Sequence, residues 1–260
     1  MAIILHTVFH CVGEVSVMEA KSAITVTAVI ITAVISLIFI PKNRNGIPEN
    51  PDNGDKDNEI IEIFLSEPEK TGSVSLEEII SGRRSIREYS LEEITEMQLS
   101  QLLWAIQGIT DKSTGFRAAP SAGASYPLEI YAAIGNAEGF DPGLYKYSPV
   151  NHSVLLVKTG DIRYEIFEAG LRQECIRNAP VVFIFTAVFE RTSSIYGIRA
   201  DRYVYIETGH AAQNLYLQSE ALGLGTVAIG AFDDMKIKDA LNLPPQEAPV
   251  YIMPVGRKIS

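Results

Sequence analysis

Eight residues, Gly82-Arg83-Arg84-Ser85-Ile86-Arg87-Glu88-Tyr89, hold the densest group of side chains able to do chemistry. A guanidinium is planar, permanently charged and forked, so it grips phosphate oxygens through paired, charge-assisted hydrogen bonds. In an extended stretch, Arg83, Ser85 and Arg87 fall on one side and Arg84 on the other. Two readings stay open on these residues alone: a solvated basic turn, or a grip for a small anion.

Composition narrows the field. The chain has 260 residues, 47% of them hydrophobic, enough for one sizeable core plus an appendage. Its net charge of −10 argues against nucleic-acid binding, which needs a broad basic surface. A local basic cluster in an acidic protein suits a small anionic ligand better. Cys11 and Cys175 are the only cysteines, which excludes a disulfide framework and a cysteine-based zinc site. His6, His10, His152 and His210 have no metal-ligand spacing, so no metal is expected. There is no Gly-x-Gly-x-x-Gly after a strand, no Walker loop and no Gly-x-Ser-x-Gly elbow.

Three further segments bear on chemistry. Pro120-Ser121-Ala122-Gly123-Ala124-Ser125-Tyr126-Pro127 is rich in small residues and precedes a strand pattern, so its backbone can approach a flat ligand; it also reads as a plain turn. The run from Gly223 to Phe232 carries glycine turns in which Gly230 and Ala231 can present bare backbone, or which merely cap a helix. Arg257 follows the final strand pattern, either joining the other arginines or acting as a solubilising terminus.

The elements that must position these groups follow from periodicity. Capping boxes at Ser75–Glu78 and Thr95–Gln98 open two helices, ending at Gly82 and Gly108. Strands are expected at 128–134, in a hairpin over 143–158, at 181–188 (buried on both faces), at 226–229 and at 250–255. Helices are expected at 161–169, 202–222 and 233–241. The layout is α+β, with helices outnumbering strands around a small central mixed sheet.

The N-terminal part reads differently. Residues 23–40 form an uncharged run of about 27 Å as a helix, the thickness of a bilayer core. A transmembrane anchor is favoured over a signal peptide or a buried helix, with residues 1–22 as a tail, 41–58 as a Pro/Asn/Asp-rich tether and 59–260 as the folded domain. The basic residues after Ile40 place that domain on the cytoplasmic side of a membrane.

Taken in order, RRSIREY, PSAGASYPLEIYA, GLYKYSPVNHSV, ETGHAAQNLYLQSEALGLGTVAIGAFDD and PVYIMPVGR resemble the nitroreductase-like FMN oxidoreductase superfamily over about Val74 to Arg257. Within it, the wording is closer to the branch of thiazole/oxazole-forming peptide dehydrogenases. The resemblance implies a nitroreductase-like fold, a homodimer with FMN at its interface, and NAD(P)H as co-substrate. It implies that Arg83, Arg84, Ser85 and Arg87 hold the phosphate and the pyrimidine side of the flavin, with Arg257 also at the phosphate. Pro120, Ser121, Ala122 and Gly123 would pack beside the ring from the second subunit. Ile229, Gly230 and Ala231 would approach flavin N5, and Gln213 would line the site wall. The Lys-Tyr pair of azoline-oxidising members corresponds here to Ile195-Tyr196; isoleucine cannot accept a proton, so Tyr196 is the one catalytic side chain the resemblance leaves.

The expected activity is hydride transfer through flavin N5 between NAD(P)H or an organic donor and an electrophilic acceptor, the flavin doing the redox chemistry and the protein orienting it. The rival is a membrane-anchored, non-catalytic module that binds flavin or an anion.

Overall fold

The protein is described from a computed structural model over residues 61–259. Nine strands and seven α-helices occur among them. The strands are β1 Glu62–Phe64, β2 Ile109–Asp111, β3 Phe116–Arg117, β4 Leu128–Ile134, β5 Gly143–Ser148, β6 Ser153–Thr159, β7 Val181–Val188, β8 Leu224–Thr226 and β9 Glu247–Arg257. The helices are α1 Leu76–Gly82, α2 Glu96–Gln107, α3 Arg163–Ala169, α4 Glu174–Asn178, α5 Phe189–Tyr196, α6 Ala200–Ala221 and α7 Asp234–Leu241.

Seven strands form one sheet in the order β1-β6-β5-β4-β7-β9-β8, while β2 and β3 pair separately. β7 lies between β4 and β9 and is buried from Val181 to Ala187, as its unbroken apolar sequence requires. One sheet face is covered by α2 and α6, where Leu99, Leu102 and Ile106 meet Val204, Ala211 and Leu215 over Ile130, Phe183 and Met253. The other is covered by α3, α4 and α7, where Ile166, Ile176 and Ile237 pack over Tyr131, Ile184 and Ile252. Each such side chain contributes about 1.5–3 kcal/mol of burial, so the sheet is held from both sides.

Both expected capping boxes form: Ser75 accepts from the Glu78 amide and Thr95 from the Gln98 amide, and each N3 side chain returns to its cap. α2 ends at Gln107 and Gly108 caps it in an extended conformation, a position that only glycine fits because a Cβ there would lie 2.3 Å from the Trp104 ring.

Several expectations need correction. Strands outnumber helices, and the sheet is not mixed: every strand pair in it is antiparallel, the parallel pairings being two isolated bridges, Ser85–Thr226 and Ile94–Ala137. α5, which leads into α6, was not anticipated; its eight residues carry a polar Glu-Arg-Thr-Ser-Ser centre with no core stripe. β8 begins two residues earlier than expected, and β9 is longer at both ends. The expected transmembrane helix and membrane location gain no support: among the described residues no helix is long and apolar enough to cross a membrane. Even α6, with 22 residues, is interrupted by Asp201, Arg202, Glu207 and Glu220. The stretch 23–40 lies outside the described residues, as do the tail and tether expected at 1–22 and 41–58.

Candidate active site

The arginine motif leaves the C-terminus of α1, where the Arg83 amide still donates to the Ile79 carbonyl, and runs along the free edge of β8. Ser85 pairs with Thr226, and the Ile86 amide donates to the Thr226 carbonyl at 2.9 Å. Further on, the Ser90 amide donates to the Arg257 carbonyl at 2.9 Å. The motif can lie this close only because Gly225 and Gly256 face each other across β8 and β9. A Cβ at Gly225 would sit 2.6 Å from Ile86 Cβ, and one at Gly256 2.7 Å from Tyr89 Cβ. Tyr89 is then locked by donating to the carbonyls of Ile86 and Pro254, with burial raising its pKa.

One phenol of α6 gathers the front of this motif. The Arg83 guanidinium lies over the Tyr216 ring, 5.0 Å from its centroid. Tyr216 Oη is 3.1 Å from Ser85 Oγ and accepts from the Ala228 amide at 2.8 Å. Residues 83–85 and Ala228, which leads into the 229–231 backbone, thus meet at Tyr216. Gly230 and Ala231 are exposed, and a Cβ at Gly230 would meet only Tyr251, at 3.6 Å, so the backbone there is open to a flat ligand. Ile229 is buried and pairs with Ile252, fixing that backbone.

The other predicted cationic residues are distributed more widely. Arg257 lies across β8 from Ser85, at the position paired with Leu224. Its Nε is 2.7 Å from Glu92 Oε2, yet its N–H does not aim at that oxygen, leaving a buried nitrogen without a hydrogen bond among the described residues. Arg84 is exposed and donates to the carbonyls of Ser81 and Arg83. Arg87 lines a cleft of about 700 Å³ with Arg163 and Arg177 that includes neither Arg83 nor Ser85. Gln213 is exposed on α6, three residues before Tyr216.

A second group forms at the opposite end of α6. The loop after Pro120 is strained: Gly123, Ala124 and Tyr126 all have φ between 44° and 60°. Left-handed Ala and Tyr are unfavourable and persist only where the surroundings fix them. Here Ser121 Oγ accepts from the Tyr126 amide, Ser125 Oγ meets Thr192 Oγ1 at 2.9 Å, and Arg191 donates to the Tyr126 carbonyl. A Cβ at Gly123 would lie 2.9 Å from Tyr196 Oη, so Tyr196 and the 120–123 segment are in contact. Tyr196 also packs edge-on to Tyr203, with ring centroids 4.8 Å apart.

Beneath this loop is a buried polar group. Glu207 of α6 is 2% exposed and takes a hydrogen bond from Gln107, while Arg117 donates to Gln107 and stacks 4.4 Å from the Tyr126 ring. Burial raises the pKa of Glu207 and lowers that of Arg117; the Ser121 hydroxyl and Gln107 partly offset the first. No group of His, Cys, Asp and Glu among the described residues could hold a metal ion.

The nitroreductase family model matches residues 80–257, more than half of the chain, including the arginine motif, both glycine turns and Arg257. The chain belongs to the nitroreductase family. MJ1384 of Methanocaldococcus jannaschii, which carries the nitroreductase name, is 45% identical over 199 residues, or 76% of this chain and 98% of that protein. The microcin B17-processing protein McbC of Escherichia coli is 26% identical over 130 residues, 48% of this chain and 47% of its own length. Among solved structures, a nitroreductase-named protein of Ralstonia eutropha superposes with a TM-score of 0.69 at 28% identity, covering 83% of this chain and 97% of that one. An NADPH:FMN oxidoreductase of Vibrio harveyi superposes at 0.53 and 20% identity, covering 71% of this chain and 69% of that one, a likeness of fold. The chain is therefore an oxidoreductase of the nitroreductase family, with its central sheet flanked by helices.

Sequence reasoning missed three contributors to this nitroreductase site. Tyr216 was hidden within a helical pattern and is revealed only by where α6 docks. Glu207 and Arg117 carry no motif; their signal was charge at positions of core spacing, Glu207 three residues after the buried Val204 and four before Ala211.

Proposed function

We propose that this nitroreductase is an FMN-dependent oxidoreductase that works as a homodimer, each flavin lying between residues of two copies. The observation that carries this is the convergence of Arg83, Ser85 and the Ala228 amide on Tyr216. That donor set suits FMN: Arg83 forms no ion pair among the described residues and Ser85 offers a hydroxyl, while Arg257, across β8, is paired with Glu92. A phosphate would satisfy Arg83 and Ser85, and the open backbone at Gly230 and Ala231 admits a flat ring alongside.

The need for a second copy follows from α6. Tyr203, beside Tyr196, and Tyr216 lie thirteen residues apart on it, about 20 Å along the axis. The strained 120–126 loop and the arginine motif therefore sit at opposite ends of one helix. Between them α6 exposes Arg202, Tyr205, Ile206, Gly209 and Gln213 on one stripe, with Tyr205 59% and Ile206 48% exposed. Two such stripes packed antiparallel across a two-fold axis would bring the Gly123–Tyr196 end of one copy to the Tyr216 end of the other.

FMN would accept and return a hydride. The chain's part is to bind the phosphate, hold the ring edge against the 229–231 backbone and exclude water with the aromatic residues of α5 and α6. Near Gly123 the side chains are Tyr196 and Ile195, and isoleucine takes no proton. This supports reduction of an electrophilic acceptor by NAD(P)H over oxidation of a substrate that must first lose a proton. Anaerobic titration of the FMN-loaded protein with NADH and NADPH tests the reading. Bleaching of the flavin by either, reversed by an electrophilic acceptor, is expected; a bound flavin that neither nucleotide bleaches would contradict it.

A further inference from the structure

We infer that Tyr216 is a positioning residue that sets Arg83 and Ser85 for a phosphate group; the inference rests on the FMN reading above. The geometry fixes the direction of one hydrogen bond and permits that of the other. The Ala228 amide can only donate, so Tyr216 Oη accepts there, at 2.8 Å. The phenol's own hydrogen is then available to Ser85 Oγ at 3.1 Å. A serine that accepts from Tyr216 has its own hydroxyl hydrogen free to donate outward, as an anion requires. The same ring carries the Arg83 guanidinium on its face, 5.0 Å from the centroid, which restrains a long side chain without neutralising it.

Tyr216 is thus the shared support of two phosphate donors and of the backbone that leads to Gly230. A leucine or methionine at this position would fill the volume and supply none of these contacts. The residue touches the motif and not the ring-facing atoms of Gly230 or Ala231, so its effect is confined to the phosphate end.

Riboflavin, which lacks only the phosphate, separates this role from a general structural one. Wild-type protein, Tyr216→Phe and Ser85→Ala are stripped of flavin and titrated with FMN and with riboflavin by fluorescence quenching. Tyr216→Phe is expected to bind FMN about tenfold more weakly, with riboflavin affinity unchanged. Adding Tyr216→Phe to Ser85→Ala should weaken FMN binding by much less than its effect alone, because the route through Ser85 is already cut. Equal losses for both flavins, or no loss for FMN, would overturn the inference while leaving the FMN reading intact. Ser85→Ala leaves the phenol in place, so a fully additive double variant would overturn it even if Tyr216→Phe were poorly stable. Wild-type protein that binds riboflavin as tightly as FMN would sink the phosphate reading itself, and the inference with it.

Discussion

Gly225 and Gly256 face each other across β8 and β9, and Ile86 and Tyr89 occupy the space their missing side chains leave. The arginine motif is seated by this pair. A methyl group at residue 225 would have to displace Ile86 Cβ from 2.6 Å. Gly225→Ala is expected to cost about 1–3 kcal/mol through overpacking and to loosen Arg83 and Ser85 together. Thermal denaturation and FMN titration should fall in step. A variant with unchanged melting temperature and FMN affinity would show that the motif is seated by other contacts.

Glu207 tests the buried group beneath the 120–126 loop. Its folded pKa is raised by burial, so the folded state holds this proton more tightly than the unfolded chain. The associated stability is present below the ordinary glutamate value of about 4.3 and is lost as pH rises through the raised folded value. Glu207→Gln keeps an oxygen for Ser121 and Gln107 and removes the charge. The variant should gain on the order of 1 kcal/mol relative to wild type at pH 8, with the gap closing towards pH 4. Melting temperatures across that range supply the comparison.

His152 makes the opposite prediction. Its Nε2 lies 2.8 Å from Ser100 Oγ and 3.0 Å from the Ser66 carbonyl, and its Nδ1 lies 2.8 Å from Tyr147 Oη. Burial lowers its pKa below the ordinary value of about 6.5. Stability from the neutral ring is present above that value and is lost as pH falls through the lowered folded value. His152→Asn suits the left-handed φ of 47° and removes the titration. It should be less stable than wild type at pH 7.5 by about 1–2 kcal/mol, and the difference should shrink below pH 6. Denaturant melts at the two pH values decide it.

The proposed dimer rests on the exposed stripe of α6. Ile206→Glu places a charge at its centre without touching either half of the candidate site within one copy. Light scattering should report a monomer where wild type is a dimer, and FMN affinity should fall at least tenfold because half of each site is lost. A variant that stays dimeric with full FMN affinity would remove this face from the interface.

The sequence carried the local rules well and the long-range ones less well. Ser75, Thr95 and Gly108 marked helix ends correctly because caps depend on residues within one turn. The buried run 181–188 announced the centre of the sheet. The mixed sheet was wrong because strand direction depends on connections that no period encodes, and here hairpins and antiparallel returns link every neighbour. α5 was missed because a short helix with a polar centre has no stripe. In the candidate site, the arginine motif and the glycine turns were legible as residue types. Their meeting point was not: Tyr216 is in contact with residues 131 positions earlier and 12 later, a coincidence made by docking α6 on the sheet.

The central claim is that Arg83 and its neighbours hold the phosphate of a bound flavin. The most direct test is to purify the full chain, load it with FMN, remove free ligand and count flavin per chain by absorbance, for wild type and Arg83→Ala. Wild type should retain one FMN per chain, and Arg83→Ala should bind about 10- to 100-fold more weakly, losing most of its flavin on the column with its secondary structure unchanged. Wild-type protein that emerges colourless, or an Arg83→Ala variant that keeps one FMN per chain, would contradict the account.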